Sequence, residues 1–203
     1  MTLQDTEFVH LHVHSEYSLA DGLFKVKDLV KRAATAGMPA VALTDRNNLF
    51  ALVKFFEACM AEGVKPILGA EVWVREGPEG SAERLLLLAR NLHGYRNLLT
   101  LISASYTGTA LRGVLEEQDV FAAKEGLIVL SGGVRGHLWS LLRNADLDQA
   151  KARALRWQAQ FGDAYYLELT RCRRQGEEEA LRSTLEIASA CGIGVVATND
   201  VCF

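Results

Sequence analysis

The chain has 203 residues, of which 49% are hydrophobic and 23% charged, and it carries a net charge of −3. That length buries a sizeable core in one domain or two small ones, with the composition of an ordinary globular protein. The acidic balance excludes a surface built throughout to coat DNA, and apolar runs such as LLLLA at 85–89 are far too short to cross a bilayer.

Short apolar or β-branched runs predict strands near 8–13, 40–43, 66–74, 85–89, 127–131, 164–169 and 193–198. Amphipathic patterns predict helices near 25–36, 49–62, 93–105, 115–124, 136–143, 147–161 and 176–191. Asn48 is a candidate N-cap for the second helix, and Gly63 a C-terminal stop. GMPAVALTD and GIGVVATND share one form, in which a glycine ends a helix, an apolar run follows and an acidic residue closes it. Alternation of this kind implies parallel pairing with right-handed crossovers, in either an open doubly wound sheet or a closed barrel. No G-x-G-x-x-G follows the first strand and no P-loop is present, which weakens a nucleotide-binding reading. Without a linker or a change of composition, residues 1–203 are expected to form one domain.

No charged-then-apolar leader opens the sequence, and a cytoplasmic protein is expected. The four cysteines, Cys59, Cys172, Cys191 and Cys202, are scattered and read as reduced thiols. The one basic cluster, RCRR at 171–174, reads as a solvated loop.

Polar residues gather at the C-terminal ends of the predicted strands, where α/β folds place their sites: His12 and His14, Asp45, Glu71, Glu168 and Asp200. In FVHLHVHSEYSLADG at 8–22, strand alternation puts His10, His12 and His14 on one face and Val9, Leu11 and Val13 on the other. A lone histidine there reads as a hydrogen-bonded core residue. H-x-H followed by Asp21 in the same loop reads as a metal site or its descendant.

HVHSEYSLADG resembles the signature of the PHP (polymerase and histidinol phosphatase) family, an H-x-H-[S/T] strand end followed by an acidic residue before glycine. ALTDRNNLFALVKFFEA, KPILGAEVWV, LLLLARNLHGYRNLLTLIS, EGLIVLSGG and GVVATNDV extend the resemblance over nearly the whole chain. Together they are similar to the branch of the family found at the start of bacterial replicative DNA polymerase III alpha chains of the DnaE type. The resemblance implies a distorted seven-stranded (β/α)7 barrel of the TIM-like kind. It also implies a cluster of up to three zinc, manganese or iron ions that hydrolyses phosphoesters in active members, polarising the phosphate and activating a water.

Carried over by motif, the ligand set survives at His12, His14, Asp21, Glu71 and Asp200. It is substituted at Arg46 in TDR, Arg84 before LLLLA, Gly133 in SGG and Cys202 in NDVC. Arginine stays protonated and offers no lone pair to a metal, and glycine offers no side-chain donor. Of the four, only a Cys202 thiolate suits zinc. Carboxylates left without ions need positive charge, so Arg46 and Arg84 are expected to bridge Glu71, Asp21 and Asp200 directly.

The resemblance thus implies a non-catalytic PHP domain with a degenerate metal site. Such a domain supports the polymerase, docks the epsilon proofreading exonuclease, packs on the rest of the alpha chain and meets DNA through the parent holoenzyme, with no membrane role. No catalytic residue and no cofactor are expected in this stretch; a single residual zinc or manganese ion is the alternative. Magnesium and nucleotidyl transfer would belong to a parent DNA-directed DNA polymerase. The rival reading is an active metal-dependent phosphoesterase, either a pyrophosphatase or a 3′–5′ exonuclease. Trp139 and Trp157 are candidates for an exposed docking face, although tryptophan on an amphipathic helix more often packs inward. His93 and His137 are expected on the surface.

Overall fold

The computed structural model describes residues 8–19, 22–107 and 112–201. Its first half runs α1 (Val26–Thr35), β1 (Ala40–Leu43), α2 (Leu52–Glu62), β2 (Lys65–Arg75), β3 (Glu83–Ala89) and α3 (Leu92–Thr107). The second half runs β4 (Val114–Glu116), α4 (Glu117–Ala122), β5 (Leu127–Leu130), α5 (Trp139–Arg143), α6 (Leu147–Phe161), β6 (Tyr165–Thr170), α7 (Glu177–Cys191) and β7 (Gly194–Thr198).

Each helical pattern in the sequence forms a helix, and local chemistry sets the ends. Gly63 closes α2 in the left-handed conformation at φ 72°, as expected of a C-terminal glycine. Asn48 does not cap α2, which starts at Leu52; its side-chain oxygen accepts from the Phe50 amide and shapes the turn before the helix. The Asp146 carboxylate caps α6 by accepting from the Gln149 amide. Ala150, Ala154, Trp157 and Phe161 then bury one face at helical spacing. Three glutamates open α7, where the helix dipole favours negative charge.

The strands form one curled sheet in the order β1-β2-β3-β5-β6-β7, with β4 beside β2. Two expectations need correction. The sheet is not all parallel: β3 runs antiparallel to both β2 and β5. No helical pattern separates β2 from β3, and the short EGPEGSA link between them is too brief for a crossover, so the chain turns back as a hairpin. The run at 8–13 is not a regular strand. It is an extended segment that bonds both neighbours at isolated points, with Ala42 and Thr44 amides donating to the His10 and Val13 carbonyls. On its other side the Val201 amide donates to the His12 carbonyl and the His14 amide to the Val201 carbonyl.

Sheet alternation sorts the side chains. Leu85 and Leu87 join Val72, Leu98 and Trp157 beneath the helices, whereas Leu86 and Leu88 join Ala42 and Leu130 on the inner face. Glu71 lies opposite Leu86, and Trp73 opposite Arg84, so all four share that inner face. Because β3 is antiparallel, Arg84 near its N-terminus arrives at the same end as the C-termini of the parallel strands.

Candidate metal centre

His12 is almost fully buried and sits at the middle of the cluster. Its Nδ1 lies 2.7 Å from Glu168 Oε1, and its Nε2 lies 3.3 Å from Glu71 Oε2 and 3.5 Å from Asp200 Oδ1. His14 Nδ1 is 2.8 Å from the Ser18 hydroxyl, while its Nε2 lies 3.3 Å from His12 Nε2 and 3.7 Å from Glu71 Oε2. The Asp45 carboxylate holds this loop in place by accepting from the Ser15 amide, the Ser15 hydroxyl and the Ser18 hydroxyl, each at 2.7 Å. His10 does not join the cluster; its ring lies edge-on to Phe8, 4.9 Å away.

Two arginines reach Glu71 from different strands. Arg46 Nε donates to Glu71 Oε1 at 2.7 Å, and Arg84 Nη1 lies 3.5 Å from Glu71 Oε2, with its guanidinium also over the Trp73 ring. Neither points into solvent: the two side chains are 19% and 10% exposed. A third arginine was not foreseen: Arg174, from the cluster read as solvated, lies 2.6 Å from Asp200 Oδ2, while Arg171 and Arg173 are exposed. Asp200 holds its place with φ 45°, a left-handed conformation that aspartate tolerates better than most residues. Gly133 stands beside Glu168, since a Cβ there would lie 3.6 Å from the Glu168 carboxyl carbon. Asp21 and Cys202 lie outside the described residues.

The electrostatics follow from this packing. Burial opposes charge on His12, but Glu168, Glu71 and Asp200 outweigh it and raise its pKa to about 10. Burial also opposes ionisation of Glu71, yet His12 and His14 hold it far below the usual carboxylate range. Burial lowers Arg84, with Glu71 working against that shift. Because His12 is raised above its unfolded value of 6.5, its contribution to stability is complete below that pH and is lost as pH rises toward 10. Denaturant titrations at pH 7 and pH 9.5 should therefore show a loss that His12→Gln largely abolishes; an equal loss in both proteins would remove His12 as the cause.

Elsewhere the expectations divide. Trp157 is core, Trp139 is half-buried against that core, and neither offers a free docking face. His93 is exposed as expected, but His137 is buried with Nε2 2.8 Å from the Tyr165 hydroxyl. Cys59, Cys172 and Cys191 are free thiols, and burial pushes Cys59 up to about 11. Among the described residues no helix is long and apolar enough to cross a membrane.

His12, His14 and Asp200 each offer a ligand atom, and these lie within 4.8 Å of one another, as a metal ion requires. The model of the PHP domain family matches residues 10–172 of this chain. The chain belongs to the PHP family. Its sequence is 44% identical over 199 residues to the DNA polymerase III subunit alpha of Pseudomonas fluorescens, covering 97% of this chain and 17% of that protein. It is 45% identical over 207 residues to the same subunit of Escherichia coli K12, covering 99% of this chain and 18% of that one. The PHP chain is thus homologous to the N-terminal region of these subunits and spans less than a fifth of their length.

Solved structures share the PHP fold at lower identity. A protein of Bifidobacterium adolescentis assigned as a metal-dependent phosphoesterase aligns with TM-score 0.60 and 17% identity, covering 96% of this chain and 87% of that one. An amidohydrolase of Chromobacterium violaceum, solved with sulfate and no metal, aligns with TM-score 0.64 and 13% identity over the same shares.

Proposed function

We propose that this PHP chain is the non-catalytic N-terminal domain of a cytoplasmic replicative DNA polymerase III alpha subunit, spanning residues 1–203, in which arginines have replaced catalytic metals. The observation that carries this reading is the pair of guanidiniums on Glu71, Arg46 at 2.7 Å and Arg84 at 3.5 Å. Two fixed positive charges at a family glutamate repel further cations and do there what ions would do. Arg174 on Asp200 extends the substitution to a second carboxylate. The hydrogen bonds that the extended segment 9–14 makes on both sides support a sheet closing as a distorted (β/α)7 barrel. On this reading the domain's work is structural. It supports the polymerase region of a longer alpha chain, docks the epsilon proofreading exonuclease and reaches DNA only within the assembled holoenzyme. Nucleotidyl transfer, with its magnesium, belongs to that longer chain.

A second reading rests on the donor set. Glu168 engages His12 Nδ1 and Ser18 engages His14 Nδ1, which turns both Nε2 atoms toward Asp200, the arrangement in which a second layer of partners orients metal ligands. These residues fit one ion but not a cluster. A single zinc or manganese held by His12, His14 and Asp200 would supply a polarised water, and with it residual phosphoesterase activity as a pyrophosphatase or 3′–5′ exonuclease. Elemental mass spectrometry on the chain purified without chelator, with assays of zinc- and manganese-dependent phosphoester hydrolysis, separates the readings. Sub-stoichiometric metal without turnover is expected. Stoichiometric metal, with turnover lost in His12→Ala, would overturn the arginine substitution.

A further inference from the structure

Beside the histidine cluster, and independent of whether that cluster binds metal, lies a cavity of about 20 Å³ between the end of β6, the loop at 131–134 and the start of α7. Three of the side chains lining it carry an oxygen with no hydrogen-bond partner among the protein atoms: Glu168 Oε2, Thr170 Oγ1 and Glu177 Oε1. All three residues are buried, at 3%, 4% and 2% exposure. Their other contacts are already committed. Glu168 Oε1 receives His12 Nδ1 and the Thr198 hydroxyl, and Glu177 Oε2 receives the Arg174 amide. Gly133 forms part of the wall, and any side chain there would press on Thr170, whose Cγ2 would lie 3.0 Å from the added Cβ.

The donor atoms and the size of the cavity identify the class of guest. Among the described residues, Asp45, Glu71, Glu168, Glu177 and Asp200 are five buried carboxylates around the site. His12, Arg46, Arg84 and Arg174 lie against Glu168, Glu71 and Asp200. The oxygens without a partner, Glu168 Oε2, Thr170 Oγ1 and Glu177 Oε1, belong to side chains that line the same small cavity. Burying an ionised carboxylate oxygen without a partner costs several kcal/mol, on the order of a lost charged hydrogen bond. All three available donors are oxygens, a set suited to hard cations and not to zinc or copper. The cavity admits one water-sized body. We propose that it binds a single monovalent cation of about that size, such as potassium or ammonium, through Glu168, Thr170 and Glu177. The bound ion ties the first turn of α7 to the carboxylate that orients His12.

The test is thermal unfolding of the whole chain with a chelator of divalent metals present, in potassium chloride and in tetramethylammonium chloride at equal ionic strength. A cation present at ten times its Kd should raise Tm in potassium by about 3–6 °C, with saturation. Thr170→Val and Glu177→Gln should each lose most of that difference. Crystals grown in thallium or rubidium should show an anomalous peak between Glu168 and Glu177. Equal Tm in the two salts, or electron density in the cavity without anomalous signal, would mean a water and overturn the proposal.

Discussion

Replacing Glu71 with alanine is expected to destabilise the chain by about 3–5 kcal/mol, the loss that follows when one member of a buried ionic cluster is removed. Glu71 is 1% exposed and is approached by Arg46 at 2.7 Å, His12 at 3.3 Å and Arg84 at 3.5 Å. Alanine leaves these groups facing one another with no anion between them. Chemical denaturation should report the loss, which corresponds to a fall in Tm of roughly 10 °C for a domain of this size. The pair Glu71→Ala and Arg46→Ala should cost less than the sum of the two by at least about 1 kcal/mol, because the second change removes a charge that the first left stranded. Strict additivity would show that the guanidinium–carboxylate contact carries no coupling.

His137 predicts an equally large effect at acid pH. Burial, and then Arg153, lowers its pKa from 6.5 to about 3. Between those values the unfolded chain takes up a proton that the folded chain refuses, so stability falls as pH drops from 6.5 and levels off below 3. At 1.36 kcal/mol per pH unit the full loss is on the order of 4–5 kcal/mol, with about 2–3 kcal/mol of it gone by pH 4.5. His137 accordingly serves as a neutral hydrogen-bond partner of the Tyr165 hydroxyl, wedged edge-on against Trp157. Denaturation of His137→Gln at pH 7 and pH 4.5 should show a visibly smaller acid loss than the parent chain. An unchanged loss would assign the acid sensitivity to the carboxylates instead. Together with the alkaline loss expected from His12, this places maximum stability near pH 6.5.

The two histidines show how unevenly the sequence could be read. His12 was legible because H-x-H at a strand end is a rare pattern with a chemical reason. His137, inside GHLWSLL, gives no such signal: its burial follows from α5 and α6 folding over Tyr165, which lies far along the chain. Glu168 was visible as a strand-end carboxylate, but nothing local says that it faces His12 rather than solvent. The strict alternation Tyr166, Glu168, Thr170 was the available signal for an inward side chain, and with it for the oxygens around the cavity. Arg174 was read as solvated because the other two arginines of RCRR, Arg171 and Arg173, look the same; only the return of the chain through Asp200 distinguishes it.

By itself the sequence determined the helices, most of the strands and the polar residue types gathered at the strand ends. Those are set by period and by residue chemistry, which act over a few neighbouring positions. Tertiary structure alone decided that β3 runs antiparallel, that Arg84 therefore reaches the mouth beside Arg46, and that Glu168 and Arg174 complete the charge pairing. These depend on the register between strands and loops far apart in the chain. A shift of one residue would turn Arg84 in β3 or Glu168 in β6 to the opposite face without altering any local pattern.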